Sequence, residues 1–270
     1  MAFATRHFVR SASSAATKKL IMKHVTVIGG GLMGAGIAQV AAATGHIVVL
    51  VDQTDEILKN SRKGIEDSLK RMTKKMFTDK PEAAAQFIEK TLKNLTVSTD
   101  PVAVVHSTDL VVEAIVENLQ VKNDLFKRLD KFAPENTIFA SNTSSLQITD
   151  IANSTTRQDR FGGLHFFNPV PMMKLVEVIK TPMTSQKTFE SLMEFTKALG
   201  KNPISCKDTP GFVVNRLLVP YLMEAVRLYE RGWHSLEPNN PLFAPSPLLN
   251  KLVEERKMGK KTGEGFYKYK

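Results

Sequence analysis

Two groups of residues in this chain have the types and spacing to do chemistry. The first is Gly29, Gly31 and Gly34 in VTVIGGGLMGAGIAQ, followed by Asp52 after the apolar run His46–Val51. A β-branched apolar segment, a G-x-G-x-x-G turn, a small-residue helix and a second strand ending on an acid form the dinucleotide-binding fingerprint in its full context. Gly29 permits the tight turn, Gly31 lets a pyrophosphate approach the backbone, and Gly34 lets the helix lie close on the sheet. The helix N-terminus offers unpaired N–H groups and a positive dipole end to the phosphates. Asp52 stands where a carboxylate accepts from a ribose 2′-hydroxyl. That charge would repel a 2′-phosphate, and Gln53 and Thr54 supply no arginine, so the pattern reads as NAD rather than NADP. The competing reading is a Gly-rich turn that holds no nucleotide; strand, helix, second strand and acid together weigh against it.

The second group is His165, in GLHFFNPVP at the end of an apolar strand, with Glu177 twelve residues on in KLVEVI. An imidazole gives or takes a proton near neutral pH, as removal of a hydroxyl proton requires. A carboxylate among Leu175, Val176, Val178 and Ile179 needs a partner. If it accepts from one ring nitrogen, it fixes the tautomer and stabilises the imidazolium. Spacing alone favours a plainer reading, with His165 a satisfied core histidine and Glu177 facing solvent. Metal chemistry has little support, since the other histidines share no ligand spacing with each other or with Cys206. The loop Ser141–Ser145 holds serines but no neighbouring base for a nucleophile. Cys206, the single cysteine, excludes an intrachain disulfide and reads as a small buried residue.

The elements that must carry these groups alternate strand and helix. Strand candidates are Asp109–Ile115, Thr137–Ala140, Phe161–Phe166, Leu175–Ile179 and Asn202–Ser205. Helix candidates are Val121–Phe132, Leu146–Ala152 (capped by the polar loop before it) and Phe189–Leu199. Between Lys59 and Lys93 two charged, amphipathic helices join near Thr78–Pro81. The fold class expected is α/β: a Rossmann-type doubly wound, mostly parallel sheet with a helical hairpin insertion. A smaller all-α domain follows, opening on one amphipathic helix over Gly211–Glu230 that Pro220 should bend, with a further short helix around Leu248–Arg256. The domain expectation is a leader over residues 1–22, an NAD-binding domain over 23–206 and a helical domain over 207–270.

The chain has 270 residues, 42% of them hydrophobic, and a net charge of +10. No apolar run reaches membrane-spanning length. Part of the charge is local: Arg6, Arg10, Lys18, Lys19 and Lys23 precede the first acid, Asp52, in an Ala- and Ser-rich opening with Phe3 and Phe8. That composition reads as a mitochondrial transit segment, with a basic tail as the plainer alternative. Lys70, Arg71, Lys74 and Lys75 cluster on the first hairpin helix. Nucleic acid is a poor partner for them, because no aromatics interleave and no known module is present. A solvated face is the plain account, and a surface for a phosphorylated small molecule the sharper one.

The motifs GGGLMGAGIAQ, DLVVEAIVEN, SNTSSLQIT, GLHFFNPVPMMKLVEVI and DTPGFVVNR, in this order, resemble the mitochondrial short-chain L-3-hydroxyacyl-CoA dehydrogenase family. The likeness runs from about Lys23 to Gly232 and again from about Pro241 to Lys270. It implies NAD-dependent oxidation of an (S)-3-hydroxyacyl-CoA to the 3-oxo thioester in the mitochondrial matrix, with His165 as base and Glu177 as its orienting acid. It also implies NAD contacts from Glu117, Lys122, Asn168 and Lys261, beside Gly29, Gly31, Gly34 and Asp52. Ser144 and Asn215 would stand near the substrate's 3-oxygen, and Ser68 and Lys75 against coenzyme A. One departure stands out. In the family several dozen residues follow the ERG that ends the long helix, whereas here Arg231-Gly232 runs directly into Trp233-His234. The second domain is therefore shortened by an internal deletion, and the family's homodimer is in doubt. The alternative function is a cofactor-binding but catalytically impaired chain that acts through protein interactions.

Overall fold

The computed structural model describes residues 22–230, 247–257, 262–265 and 268. Residues 1–21 of the leader read over 1–22, the junction at 231–234 and Lys261 lie outside the described residues. Met22, the last residue assigned to that leader, packs in the core. The chain divides into two compact units, Met1–Arg216 and Leu217–Lys270.

The first unit is built on one eight-stranded sheet. In chain order the strands are β1 (His24–Ile28), β2 (Ile47–Val51), β3 (Leu95–Ser98), β4 (Leu110–Glu113), β5 (Ile138–Ser141), β6 (Phe161–Phe166), β7 (Leu175–Lys180) and β8 (Asn202–Lys207). Their order across the sheet is β3-β2-β1-β4-β5-β6-β7-β8. All neighbours are parallel except β6 and β7. The order reverses direction between β1 and β4, the switch point outside which doubly wound sheets bind ligands.

Both faces of the sheet are covered, which is why its strands are continuously apolar. Successive side chains alternate between the two faces. Leu110 and Val112 of β4 enter one core cluster, with Val25, Val27, Ile138 and Ala140. Val111 between them enters the other, with Phe126, Phe139 and Phe161. The helices are α1 (Leu32–Ala43), α2 (Asp55–Met76), α3 (Pro81–Lys93), α4 (Pro101–Val105), α5 (Leu119–Asp130), α6 (Ile148–Ala152) and α7 (Gln186–Ala198), with α8 (Val214–Glu230) continuing into the second unit. On α2, Leu58, Ser61, Ile65 and Leu69 recur at helical spacing and are buried, leaving the lysines outward.

Sequence reading found most of these elements and missed β3 and α4, two short ones of four and five residues. It also misplaced a cap. The N-terminus of α6 has no cap from the polar loop before it. Instead Asp208, far along the chain, accepts from Ile148 N at 3.0 Å and Thr149 N at 2.7 Å. The long helix begins at Val214 rather than Gly211, because Gly211 (φ +75°) and Phe212 (φ 47°) occupy the left-handed region.

In the second unit, Leu217, Tyr221 and Leu222 of α8 are exposed. Among the described residues of that unit a further helix is α9 (Pro247–Glu254), and Lys257 pairs with Glu255 at 2.8 Å and Glu264 at 3.3 Å.

Cys206 on β8 is buried, and burial, followed by the nearby Glu177 carboxylate, pushes its thiol up to about 12. A thiolate reagent at about pH 8 should therefore leave the native protein unmodified and label Cys206 only on unfolding. Rapid labelling of the native protein, followed by mass spectrometry, would contradict this packing.

Candidate active site

His165 and Glu177 are direct cross-strand partners in the antiparallel β6–β7 pair. Side chains opposite one another in such a pair share a face of the sheet. His165 Nδ1 lies 2.7 Å from Glu177 Oε2. Glu177 is fully buried and His165 is 6% exposed. An ionised carboxylate only accepts, so Nδ1 carries the proton and Nε2 is left as the basic nitrogen. The other carboxylate oxygen, Oε1, accepts from Val213 N at 2.9 Å and Val214 N at 2.8 Å. These amides open α8, so the acid also sits at a positive helix end. Burial alone would raise the Glu177 carboxyl. The hydrogen bonds from His165, Val214 and Val213 outweigh it and hold the group below the usual carboxylate range.

The turn that aims those two amides depends on Gly211 and Phe212. A Cβ on Gly211 would stand 2.8 Å from Arg216 N, and the Phe212 ring packs 5.9 Å from the imidazole. Phe167 lies on it more closely, at 4.5 Å. Neither aromatic was singled out from sequence, where each looks like an ordinary core residue.

His165 lines a cavity of about 470 Å³ together with Glu117, Lys122, Ser144, Asn168 and Asn215. Six residues named from the sequence thus come together, from β6 and from segments following β4, β5, β6 and β8. Asn215 Nδ2 donates to the Ser144 carbonyl at 3.3 Å. Asn142 Oδ1 accepts from Phe166 N at 2.9 Å, tying the serine loop to the histidine strand. Lys122 is 1% exposed, and its ammonium is held by Glu113 at 2.6 Å and Glu117 at 3.2 Å. It is therefore no freely extended cation, as a lysine named only as a cofactor contact would suggest.

A second cavity of about 1030 Å³ is lined by Gly31, by Ala35 of α1, by Ser68, Arg71 and Lys75 of α2, and by the turn from Asn168 to Met172. Asn168 borders both cavities. The turn is pinned from beneath by buried Lys201, whose Nζ donates to the Val170 carbonyl and, at 2.7 Å, to that of Met173. Burial, and then the charge of Lys174, lowers the Lys201 ammonium from its ordinary value.

The glycine turn fits a dinucleotide. Gly29 has φ +109°, and a Cβ on Gly34 would fall 1.7 Å from the Gly29 carbonyl. At Gly31 the same position is open. The N-terminus of α1 has no side-chain cap and no acid in its first turn, so its N–H groups are free for an anion. Asp52 Oδ2 accepts from Gly30 N at 2.5 Å, and Oδ1 from Gln53 N at 2.6 Å. The acid therefore also braces the turn. Gly30 was missed from sequence; a Cβ there would meet Ser61 Oγ at 2.7 Å. Among the described residues no group of three or more His, Cys, Asp or Glu could hold a metal ion, and no helix is long and apolar enough to cross a membrane.

Residues 24–209 match the model for the 3-hydroxyacyl-CoA dehydrogenase NAD binding domain, and residues 233–269 that for the C-terminal domain. The chain belongs to the 3-hydroxyacyl-CoA dehydrogenase family. It is 67% identical to mitochondrial hydroxyacyl-coenzyme A dehydrogenase of Rattus norvegicus and 66% identical to that of Homo sapiens, over the whole of each chain. The rat alignment runs over 314 positions, which leaves 44 of them with no residue in this chain of 270. Among solved members, (S)-3-hydroxybutyryl-CoA dehydrogenase from Ralstonia eutropha is 35% identical with a TM-score of 0.74, covering 93% of this chain and 100% of its own. The Escherichia coli 3-hydroxybutyryl-CoA dehydrogenase structure is 36% identical with a TM-score of 0.74, covering 93% of this chain and 60% of its own. Membership accounts for the NAD-type glycine turn and the Rossmann-like sheet.

Because the Glu177 carboxyl is held below its ordinary value, its stabilising contribution is complete above about pH 4.5 and is lost as the pH falls through the native value. Glu177→Gln should remove that part of the acid limb and cost about 1–3 kcal/mol at neutral pH. It should also cut turnover roughly 10²- to 10⁴-fold by freeing the wrong tautomer. Denaturant titrations at several pH values, paired with turnover assays, check both effects.

Proposed function

We propose that this chain oxidises (S)-3-hydroxyacyl-CoA to 3-oxoacyl-CoA with NAD, His165 acting as general base and Glu177 as the acid that orients it. The observation that carries this reading is the buried 2.7 Å contact between His165 Nδ1 and Glu177 beside a cavity shared with Ser144, Asn168 and Asn215. Bound NAD supplies the hydride acceptor. As the substrate's C3–H bond breaks, His165 Nε2 takes the hydroxyl proton, and Glu177 stabilises the resulting imidazolium. Ser144 and Asn215 hold the oxygen as it becomes a carbonyl, a pre-set electrostatic role. The N–H groups opening α1 hold the pyrophosphate, and Asp52 accepts from the adenosine ribose. Glu117, Lys122 and Asn168 border the reacting end; Lys261, named from the family likeness, lies outside the described residues.

The larger cavity takes the coenzyme A portion. Ser68 and Lys75 contact it, and the cationic α2 face attracts its phosphates. Lys261 apart, the site residues fall in the NAD-binding region 23–206 and just after it, with the helical domain from 207 and the leader over 1–22. The leader's basic composition and the mitochondrial names of the rat and human relatives support the mitochondrial matrix as its location.

A second reading, a cofactor-binding but catalytically weak chain, is favoured by the 44 aligned positions without a residue and by the exposed apolar side chains of α8. We place the gap after Gly232 and read the pairing of two chains as weakened by it.

Acetoacetyl-CoA-dependent oxidation of NADH decides between the two readings: sustained turnover removes the second. His165→Gln should reduce that rate at least about 10²-fold while leaving NADH binding unchanged. Near-normal turnover would take His165 out of the role. Asp52→Ala should weaken NAD by about tenfold and NADP by much less, measured as the two binding constants. Equal losses would contradict the ribose contact.

A further inference from the structure

Glu113, the last residue of β4, has no part in the reading above, yet it is fully buried and carries three polar contacts. Its Oε1 accepts from Lys122 Nζ at 2.6 Å and from Ile115 N at 2.7 Å. Its Oε2 accepts from Ser141 Oγ at 2.6 Å, and Ser141 is its register partner on β5. Two chains of contact lead from this one carboxylate to a single loop. Through Lys122 the first reaches Glu117, whose Oε1 accepts from the hydroxyls of Thr143 and, at 3.0 Å, Ser145. Through Ser141 the second reaches Thr143, whose N–H donates to Ser141 Oγ at 3.3 Å. The loop between them carries Ser144, which lines the His165 cavity with Glu117 and Lys122.

One ammonium is thus shared between a buried carboxylate and a half-exposed one, 40% open. A charge in so dry a setting needs fixed partners. Were Glu113 uncharged, Lys122 would be left with Glu117 alone as a counter-charge. Glu117 is the more exposed member of the set and lines the cavity, so the geometry of the cavity wall would change with it.

We propose that Glu113 is a positioning residue for the cofactor end of the site, setting Glu117 and the 142–145 loop through Lys122 and Ser141. This rests on the reading that the His165 cavity receives the reacting end of NAD. It contributes no group to the cavity itself.

The test compares Glu113→Gln, Lys122→Met and the double variant in the full chain. NADH binding is followed by fluorescence titration and acetoacetyl-CoA binding by calorimetry. Glu113→Gln should weaken NADH about tenfold or more, since one charge-assisted contact acts on that scale, and acetoacetyl-CoA by clearly less, since only Ser144 of the loop meets the substrate and the coenzyme A portion lies in the other cavity. The double variant has no stranded buried charge and should fold even where a single variant does not. It should bind NADH no more weakly than Lys122→Met alone, because the two residues act as one unit. Wild-type NADH affinity in Glu113→Gln would overturn the proposal. Losses that simply multiply in the double variant would do the same, as would equal loss of both ligands in every variant. If the wild-type chain itself fails to bind NADH, the reading of the cavity fails instead, and the outcomes remain distinct.

Discussion

The register of β6 against β7 is the constraint on which the site depends. In an antiparallel pair, sliding one strand by a single residue turns its side chains to the other face of the sheet. His165 and Glu177 meet only because Gly163 pairs with Ile179 and Phe166 with Val176 on either side of them. The pairing is enforced by core packing: Leu164, Phe166, Val176 and Val178 enter one cluster and Ile179 the other. A slip would bury charge in one cluster and expose apolar side chains of the other. The same hydrophobic pattern that folds the strands therefore sets the contact between imidazole and acid.

Two buried carboxylates organise the site in a common way. Glu177 and Glu113 each use both oxygens and each receive at least one backbone N–H. Neither is left as an isolated charge, which a dry interior would not tolerate. They differ in counter-group. Glu177 faces an imidazole ring, whereas Glu113 faces the Lys122 ammonium. The first arrangement suits proton transfer and the second suits rigidity, and the groups they hold, His165 and Lys122, line one cavity.

The family likeness and the physical reading meet at the sheet's switch point. Segments following β1, β2, β4, β5 and β6 all present site residues beyond their carboxyl ends, as doubly wound sheets do. The first unit carries this whole set. In the second unit, α8 leaves Leu217, Tyr221 and Leu222 exposed.

From the sequence alone the glycine turn, its helix and Asp52 could be read, because that chemistry is local: each glycine answers a demand made within a few residues of itself. The alternation of strands and helices was legible for the same reason, apart from β3 and α4, which are too short to show a period. Other features required the tertiary structure. Spacing alone favoured a plain core role for His165 and solvent for Glu177, and their contact follows from strand pairing that no local signal encodes. Glu113, Asp208 and the Gly211–Phe212 turn were silent in the sequence, since each acts on groups brought to it from other segments. A buried polar residue shows its role only once its partners are in place, and those partners are chosen by the packing of the whole sheet.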